Sequence, residues 1–198
     1  MRFSHTTLWI LFLGCLAFKC EPTQRSLSYT EQISAHREEI EQYMNEAEDS
    51  PFLGADSLVR LDYFPADERF KVIASIKRIA NPGQLTLGTS DGELRVYTKY
   101  AWLEFEIQEL PQKLLVLKGQ EEDGLFLAFA DLTSDDSTYG GGRYINLGFS
   151  EQAEKITLDF NKAYNPYCAY NETYSCPLPP VENYLKIAVT AGERIYKN

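Results

Sequence analysis

The hydrophobic period of the chain changes once, and this change limits the folds that it can adopt. From residue 29 to about 48, apolar side chains recur at helical spacing, and Ser28 followed by Glu31 forms a capping box. Pro51 ends this pattern, because proline disfavours helical geometry in the residue before it. From Ser57 onward, apolar and polar side chains alternate, which is typical of half-buried strands. The sequence therefore predicts one amphipathic helix followed by strands.

Short alternating runs continue almost to the C terminus. The clearest hairpin signal is Asp91-Gly92, because this dipeptide readily adopts the positive backbone angles of a tight turn. Aromatic residues, which favour pleated surfaces, make up 13% of the chain. About ten short strands and one N-terminal helix predict a mainly β fold, an antiparallel sandwich or partly closed barrel. The predicted strands lie around residues 59–63 and 70–76, and at 84–89, 93–98, 101–107, 113–118, 125–131, 143–149, 154–160 and 184–190.

Length and charge restrict the organisation and the partners. A chain of 198 residues is long enough for one hydrophobic core and short for two. We expect a linker at residues 20–28 and a single β-rich domain at 29–198. The chain has 19 Lys and Arg against 29 Asp and Glu, a net charge of −10. Because non-specific binding to phosphate backbones requires a basic surface, nucleic acid is not an expected partner.

Residues 1–19 have the pattern of a secretory signal peptide. Arg2 precedes an apolar run of 11 residues at 8–18, whereas a membrane-spanning helix needs roughly 20. Two alternatives stay open: plain secretion, and a lipoprotein signal in which Cys20 becomes the lipid-modified first residue. Both predict an exported protein, either secreted or held in the periplasm or at the outer membrane. Contact with a membrane is expected only through a lipid anchor.

Familiar catalytic motifs are absent from the sequence. A Ser–His–acid triad needs a histidine base, and His36, the only histidine after the signal peptide, lies on the polar face of the predicted helix. Zinc-peptidase, P-loop and dinucleotide-binding patterns are also missing. The loop with Asp131, Asp135 and Asp136 lacks calcium-loop spacing and is interpreted as a solvent-exposed turn. No metal or cofactor is predicted.

Polar and conformationally special residues are concentrated between residues 131 and 193. Three successive glycines at 140–142 permit close approach to the backbone. Arg143 follows them, and its planar guanidinium suits bidentate binding of a carboxylate or phosphate. The alternative is a structural ion pair of Arg143 with Asp159 or Glu182.

Cys168 and Cys176 are the two cysteines beyond the signal region. In an exported chain, thiols eight positions apart favour a disulfide that closes a short loop. A metal site and a reactive thiol are weaker alternatives, because no nearby histidine is available to complete a zinc shell or to activate a thiol.

These features predict a pocket between the glycine-rich turn and the Cys168–Cys176 loop that binds a small polar or anionic ligand. The predicted ligand-binding residues are Tyr139, Arg143, Asp159, Asn161, Asn165, Tyr170, Glu182 and Asn183. One alternative is a carboxylate-dependent, glycosidase-like hydrolase, in which Asp159, Glu182 and Glu193 include the acid and base. The other is a purely structural domain whose polar groups satisfy one another.

Several long motifs carry a resemblance to a known family. They are TYGGGRY at 138–144, DFNKAYNPYCAYNETYSCPLPPVEN at 159–183 and AGE at 191–193, with LDYFPADERFKVIAS and SDGELRVYTKYAWLEFEI upstream. Over roughly residues 50–196 the chain resembles the bacterial and archaeal family called domain of unknown function 1684. The resemblance implies that the dense polar segment is the family's signature, and it implies no activity. The signature residues are Arg143, Asp159, Asn161, Asn165, Cys168, Tyr170, Cys176, Glu182, Asn183 and Glu193.

Overall fold

The computed structural model describes residues 26–119, 124–148, 150 and 152–197. The predicted signal peptide and Cys20 lie outside these residues. Helix α1, Tyr29–Glu46, begins at the predicted capping box: Ser28 Oγ accepts a hydrogen bond from the Glu31 N–H, and the Glu31 carboxylate accepts one from the Ser28 N–H. Within the described ranges, no helix is long and apolar enough to cross a bilayer.

The mainly β, antiparallel fold is confirmed: the described residues contain the predicted N-terminal helix, and their large sheet does not close into a barrel. The described ranges contain eight strands: β1 Lys71–Arg78, β2 Gln84–Gly88, β3 Leu94–Ile107, β4 Leu110–Lys118, β5 Leu125–Phe126, β6 Ala128–Phe129, β7 Arg143–Tyr144 and β8 Lys155–Asp159. The large sheet has the order β5-β4-β3-β1-β8, with β2 also paired to β3. A second, two-stranded sheet is formed by β6 and β7. Short 3-10 turns occur at Glu68–Phe70, Phe160–Lys162, Tyr167–Ala169 and Val181–Asn183.

Strand β3 is the longest strand and joins two segments that the sequence predicts as separate strands. Its first part pairs with β2 and its later part with β1, while β4 runs along its other side. The register to β4 shifts between Lys99 and Ala101. This bulge changes which alternate residues face each side: Tyr97 and Trp102 pack in one hydrophobic cluster, and Leu103 packs in another. The interruption of the alternation in the sequence is therefore a bulge within one strand.

Three hydrophobic clusters hold the elements together. The main core packs one face of the large sheet against the C-terminal segments, with Phe105, Phe129 and Phe160 at its centre. A smaller cluster covers the other face near β2. The third lies under α1 and joins it to aromatic residues from the C-terminal part; its members include Met44, Val59, Leu61, Tyr63, Tyr167, Tyr170 and Tyr196.

Two predicted strands are extended segments whose hydrogen-bond partners come from elsewhere. The Val59 backbone binds the Asn45 side chain of α1, and the Leu61 N–H donates to Glu41 at 2.9 Å. Residues 184–190 bond irregularly beside β6, where the Leu185 N–H donates to the Ala130 carbonyl at 2.8 Å. The alternation of apolar and polar residues therefore predicts the extended backbone here. The hydrogen bonds that a neighbouring strand would make come instead from side chains and loops.

Candidate functional site

Arg143 lies in the interior and is only 1% exposed. Its Nη2 atom is 2.9 Å from Asp131 Oδ2, and Asp131 is equally buried. The guanidinium also donates to the carbonyl oxygens of Val189 at 3.0 Å, Ala191 at 2.5 Å and Glu193 at 3.2 Å. Burial lowers the pKa of Arg143, and the Asp131 carboxylate opposes that shift. Protein groups thus bind the side chain that was predicted to bind a ligand.

The ion-pair partner of Arg143 also differs from both predicted partners. Glu182 pairs with Lys99 at 3.4 Å, and Asp159 lies beside α1. Asp131 reaches Arg143 because β6, which precedes this aspartate, pairs with β7, which contains the arginine. Asp131 Oδ1 also accepts a hydrogen bond from the Thr133 backbone N–H at 2.8 Å. The interpretation of this loop as fully solvent-exposed is therefore wrong at Asp131.

The side-chain amides of Asn161 and Asn183 make hydrogen bonds to backbone groups that a neighbouring strand would otherwise satisfy. The Asn161 amide binds both the N–H and the carbonyl of Asp67, each at 2.8 Å. Asn183 is fully buried; it accepts the Leu115 N–H at 2.6 Å and donates to the carbonyls of Leu115 and Ala128. Since buried backbone groups need partners, both amides have structural roles.

Glu193 joins the C-terminal segment to the cysteine loop. Its carboxylate is 1% exposed and accepts hydrogen bonds from the Asn165 N–H at 3.0 Å, the Asn165 side chain at 2.9 Å and the Tyr170 hydroxyl at 2.5 Å. Gly192 before it has φ +79°, and a Cβ at this position would lie 2.6 Å from the Phe160 carbonyl oxygen. Only glycine fits this approach without a shift, which explains the AGE motif.

The glycine-rich turn and the cysteine loop meet, as the sequence predicts, and a cavity of about 600 Å³ lies between them. We call it the cysteine cavity. It is lined by Ser90, Tyr139, Cys168, Ala169, Tyr170 and Glu172. Tyr139 and Tyr170 belong to the predicted binding set, whereas Ser90 and Glu172 do not. Ser90 comes from the β2–β3 hairpin, whose sequence signals only a turn.

Tyr139 is positioned over the second glycine of the turn. A Cβ at residue 141 would lie 2.4 Å from Tyr139 Cε1, so Gly141 leaves room for the ring. The Tyr139 hydroxyl is 3.8 Å from Cys168 Sγ. Burial and this contact raise the pKa of Tyr139 to about 12, so the hydroxyl keeps its proton near neutral pH. Tyr139 therefore presents a neutral hydroxyl, which can donate or accept a hydrogen bond.

Cys168 and Cys176 are both buried, and the structure contains them as free thiols. The Cys168 N–H donates to Cys176 Sγ at 3.2 Å. A hydrogen bond from the Cys176 thiol, with further bonds from Ser90 and Tyr139, lowers the pKa of Cys168 to about 6 although burial opposes the shift. The same thiol contact raises the pKa of Cys176. The predicted disulfide stays a prediction, and the structure contains a polarised pair of thiols.

A second cavity, of about 400 Å³, lies between α1 and the β8 end of the sheet. His36, which was predicted to be solvent-exposed, is half-buried here, and burial followed by the charge of Lys162 lowers its pKa. Asp159 also lines this cavity, and its carboxylate accepts the Tyr29 hydroxyl at 2.9 Å. The predicted residue Asp159 is therefore separate from the cysteine cavity.

The three carboxylates of the hydrolase alternative do not face one space. Asp159 lines the cavity beside α1, Glu182 lines a groove along β3 and β4, and Glu193 is buried behind Tyr170. Since acid–base cleavage of a glycoside needs two carboxyl groups flanking one bond, no observation favours that alternative.

We predict that Glu193 makes stability decrease with pH. Burial raises the pKa of Glu193 from 4.5 to about 7, so the folded state binds its proton more tightly than the unfolded state. The stability that the protonated Glu193 side chain contributes is complete below about pH 4.5 and is lost as the pH rises through about 7. Glu193→Gln should remove this decline when the free energy of unfolding is measured in urea across that range.

Glu172→Gln, at an exposed position, is the matched control and should keep the wild-type slope. A constant offset between Glu193→Gln and wild type at every pH would contradict the assignment.

The comparisons with known proteins identify a family but no activity. The family described as "Protein of unknown function (DUF1684)" matches residues 56–194. The chain is similar to an uncharacterized protein of Haloarcula marismortui with a solution NMR structure. The two are 38% identical, with a TM-score of 0.64, and the match covers 82% of this chain and 92% of that one. No curated protein matches significantly. With most of its length matched, the chain belongs to the DUF1684 family of proteins of unknown function.

Proposed function

We propose that this protein binds a small polar ligand in the cysteine cavity. The observation that carries the proposal is the meeting of the glycine-rich turn and the cysteine loop around an open cavity of about 600 Å³. A concave site with a few fixed polar groups is the usual form of a small-molecule site.

The side chains that line the cysteine cavity are held in place by residues outside it, which supports ligand binding. Tyr139 is supported by Gly141, and the Tyr170 hydroxyl is bonded to buried Glu193. Cys168 is held by its contact with Cys176. Side chains that are already ordered lose little conformational entropy when a ligand binds.

The chemistry of the lining favours a neutral, hydroxyl-bearing ligand. Ser90 and Tyr139 offer hydroxyl groups, Glu172 offers a carboxylate, and Tyr170, whose hydroxyl is bonded to Glu193, offers its ring. The sequence also predicts anionic ligands, and that prediction depends on Arg143. The guanidinium of Arg143 is instead hydrogen-bonded to Asp131 and to three backbone carbonyl oxygens. Tyrosine rings beside hydroxyl groups suit saccharides and small peptides.

Thermal unfolding with a panel of neutral saccharides, short peptides and organic acids tests the proposal. At a concentration of about 100 Kd, a ligand stabilises the folded state by about 2.7 kcal/mol, which corresponds to an increase of about 5–10 °C in Tm at this size. We expect a shift for at least one neutral polar compound. Ala169→Phe, which fills the cavity, should remove the shift.

Ala80→Phe, at an exposed turn position, is the control and should keep the shift. An equal shift in Ala169→Phe and wild type, or no shift with any compound, would contradict ligand binding in this cavity.

We also propose that the protein is exported through residues 1–19 and carries a lipid at Cys20. The apolar run at 8–18 followed by Cys20 supports this proposal. Intact mass of the protein extracted from the membrane fraction of the source cells should equal that of residues 20–198 plus lipid. Cys20→Ser should shift the protein to the soluble exported fraction. An unprocessed chain of full mass would contradict export.

A further inference from the structure

We propose that Cys168 and Cys176 form a thiol–disulfide exchange centre for small disulfides that enter the cysteine cavity. The inference goes beyond ligand binding but rests on the same cavity being open to small molecules. Cys168 is the attacking residue and Cys176 the resolving residue.

The geometry brings together the parts that exchange requires. Two thiols lie in contact, and one of them, Cys168, lines an open cavity of about 600 Å³. The Cys176 backbone N–H donates to Ser90 Oγ at 3.1 Å, which ties the second cysteine to the β2–β3 hairpin. The pair is therefore held between the cysteine loop and the β2–β3 hairpin, and Cys168 lines an accessible cavity.

The groups around the two sulfur atoms favour Cys168 as the thiolate. The Cys176 thiol and the Ser90 and Tyr139 hydroxyls surround its sulfur, whereas Cys176 Sγ accepts the Cys168 N–H. Because the thiolate is the nucleophile in exchange, the more strongly stabilised sulfur is the one that attacks. It is also the one that lines the cavity.

The charged and titratable groups around the pair come from every neighbouring element. They are Tyr139 from the glycine-rich turn, Asp135 from the acidic loop before it, Tyr144 from β7, Arg95 from β3, Asp91 from the β2–β3 hairpin and Glu172 from the cysteine loop. This set contains three carboxylates and one guanidinium, so cationic and neutral disulfides are favoured over anionic ones. The substrate class is a small uncharged or cationic disulfide.

The reaction balances without another reagent. The Cys168 thiolate attacks one sulfur of a disulfide RSSR, which forms Cys168–S–S–R and releases RS⁻. The Cys176 thiol then gives its proton to solvent, and its sulfur attacks Cys168 Sγ and expels the second RS⁻. Two protein thiols are oxidised to one disulfide, and the small disulfide is reduced to two thiols. The step is reversible, so the redox poise of the compartment sets its direction.

Reaction of the reduced full chain with hydroxyethyl disulfide, a neutral probe, tests the proposal. After trapping with N-ethylmaleimide, peptide mass mapping should show a Cys168–Cys176 disulfide in wild type. Cys176→Ser should stop at a mixed disulfide on Cys168, and Cys168→Ser should react at least about tenfold more slowly at Cys176. Cystamine should react faster than glutathione disulfide, with a difference that shrinks in high salt.

The pH dependence gives an independent readout that a buried structural pair would not show. Carbamidomethylation of Cys168 by iodoacetamide should rise about tenfold from pH 5 to 7 and then level off, since its pKa is about 6. An ordinary thiol continues to accelerate up to its pKa of about 8.5.

The outcomes separate this inference from ligand binding. Equal, slow reaction of wild type and Cys168→Ser would overturn the exchange centre, even if saccharides or peptides still raise Tm. Fast exchange in a protein that binds none of the panel would support the exchange centre and contradict only the proposed binding function. Adducts that form first on Cys176 would overturn the assigned roles.

Discussion

The structure depends on a buried ion pair between Arg143 and Asp131. Such a pair is costly to desolvate, and removing one partner typically costs about 3–5 kcal/mol because the other charge stays unpaired. Here the guanidinium also binds three carbonyl oxygens of residues 189–193, a segment that belongs to none of the eight strands in the described ranges. The arginine thus provides the hydrogen bonds that a sheet would otherwise supply.

The cysteine cavity is built outward from this anchor. Arg143 fixes the backbone of Glu193, whose carboxylate fixes Asn165 and Tyr170 on either side of Cys168. From the other side, the glycine-rich turn places the Tyr139 hydroxyl 3.8 Å from Cys168 Sγ. The concentration of polar residues in this part of the sequence has two causes: most of these side chains hold irregular backbone, and a few remain at the cavity surface.

The sequence predicted elements whose signals are local. The capping box, the Asp91-Gly92 turn, where Gly92 has φ +86°, and the alternating strands follow from neighbouring residues. The meeting of the glycine-rich turn and the cysteine loop was also predicted, but not which side chains line the gap. That choice depends on burial: Arg143 and Asn183 satisfy interior backbone, and their sequence context does not distinguish this role from ligand binding.

Hydrogen–deuterium exchange of Arg143→Lys tests most directly whether this arginine supports the site. Lysine keeps the charge but cannot bind Asp131 and three carbonyls together. We predict that residues 163–170 and 189–194 exchange at least about tenfold faster than in wild type, while β3 and β4 keep their protection. Lys99→Ala, which removes an ion pair whose side chains are 32% and 33% exposed, should leave both segments unchanged. Unchanged exchange in these segments, or a uniform increase across the whole sheet, would contradict the account.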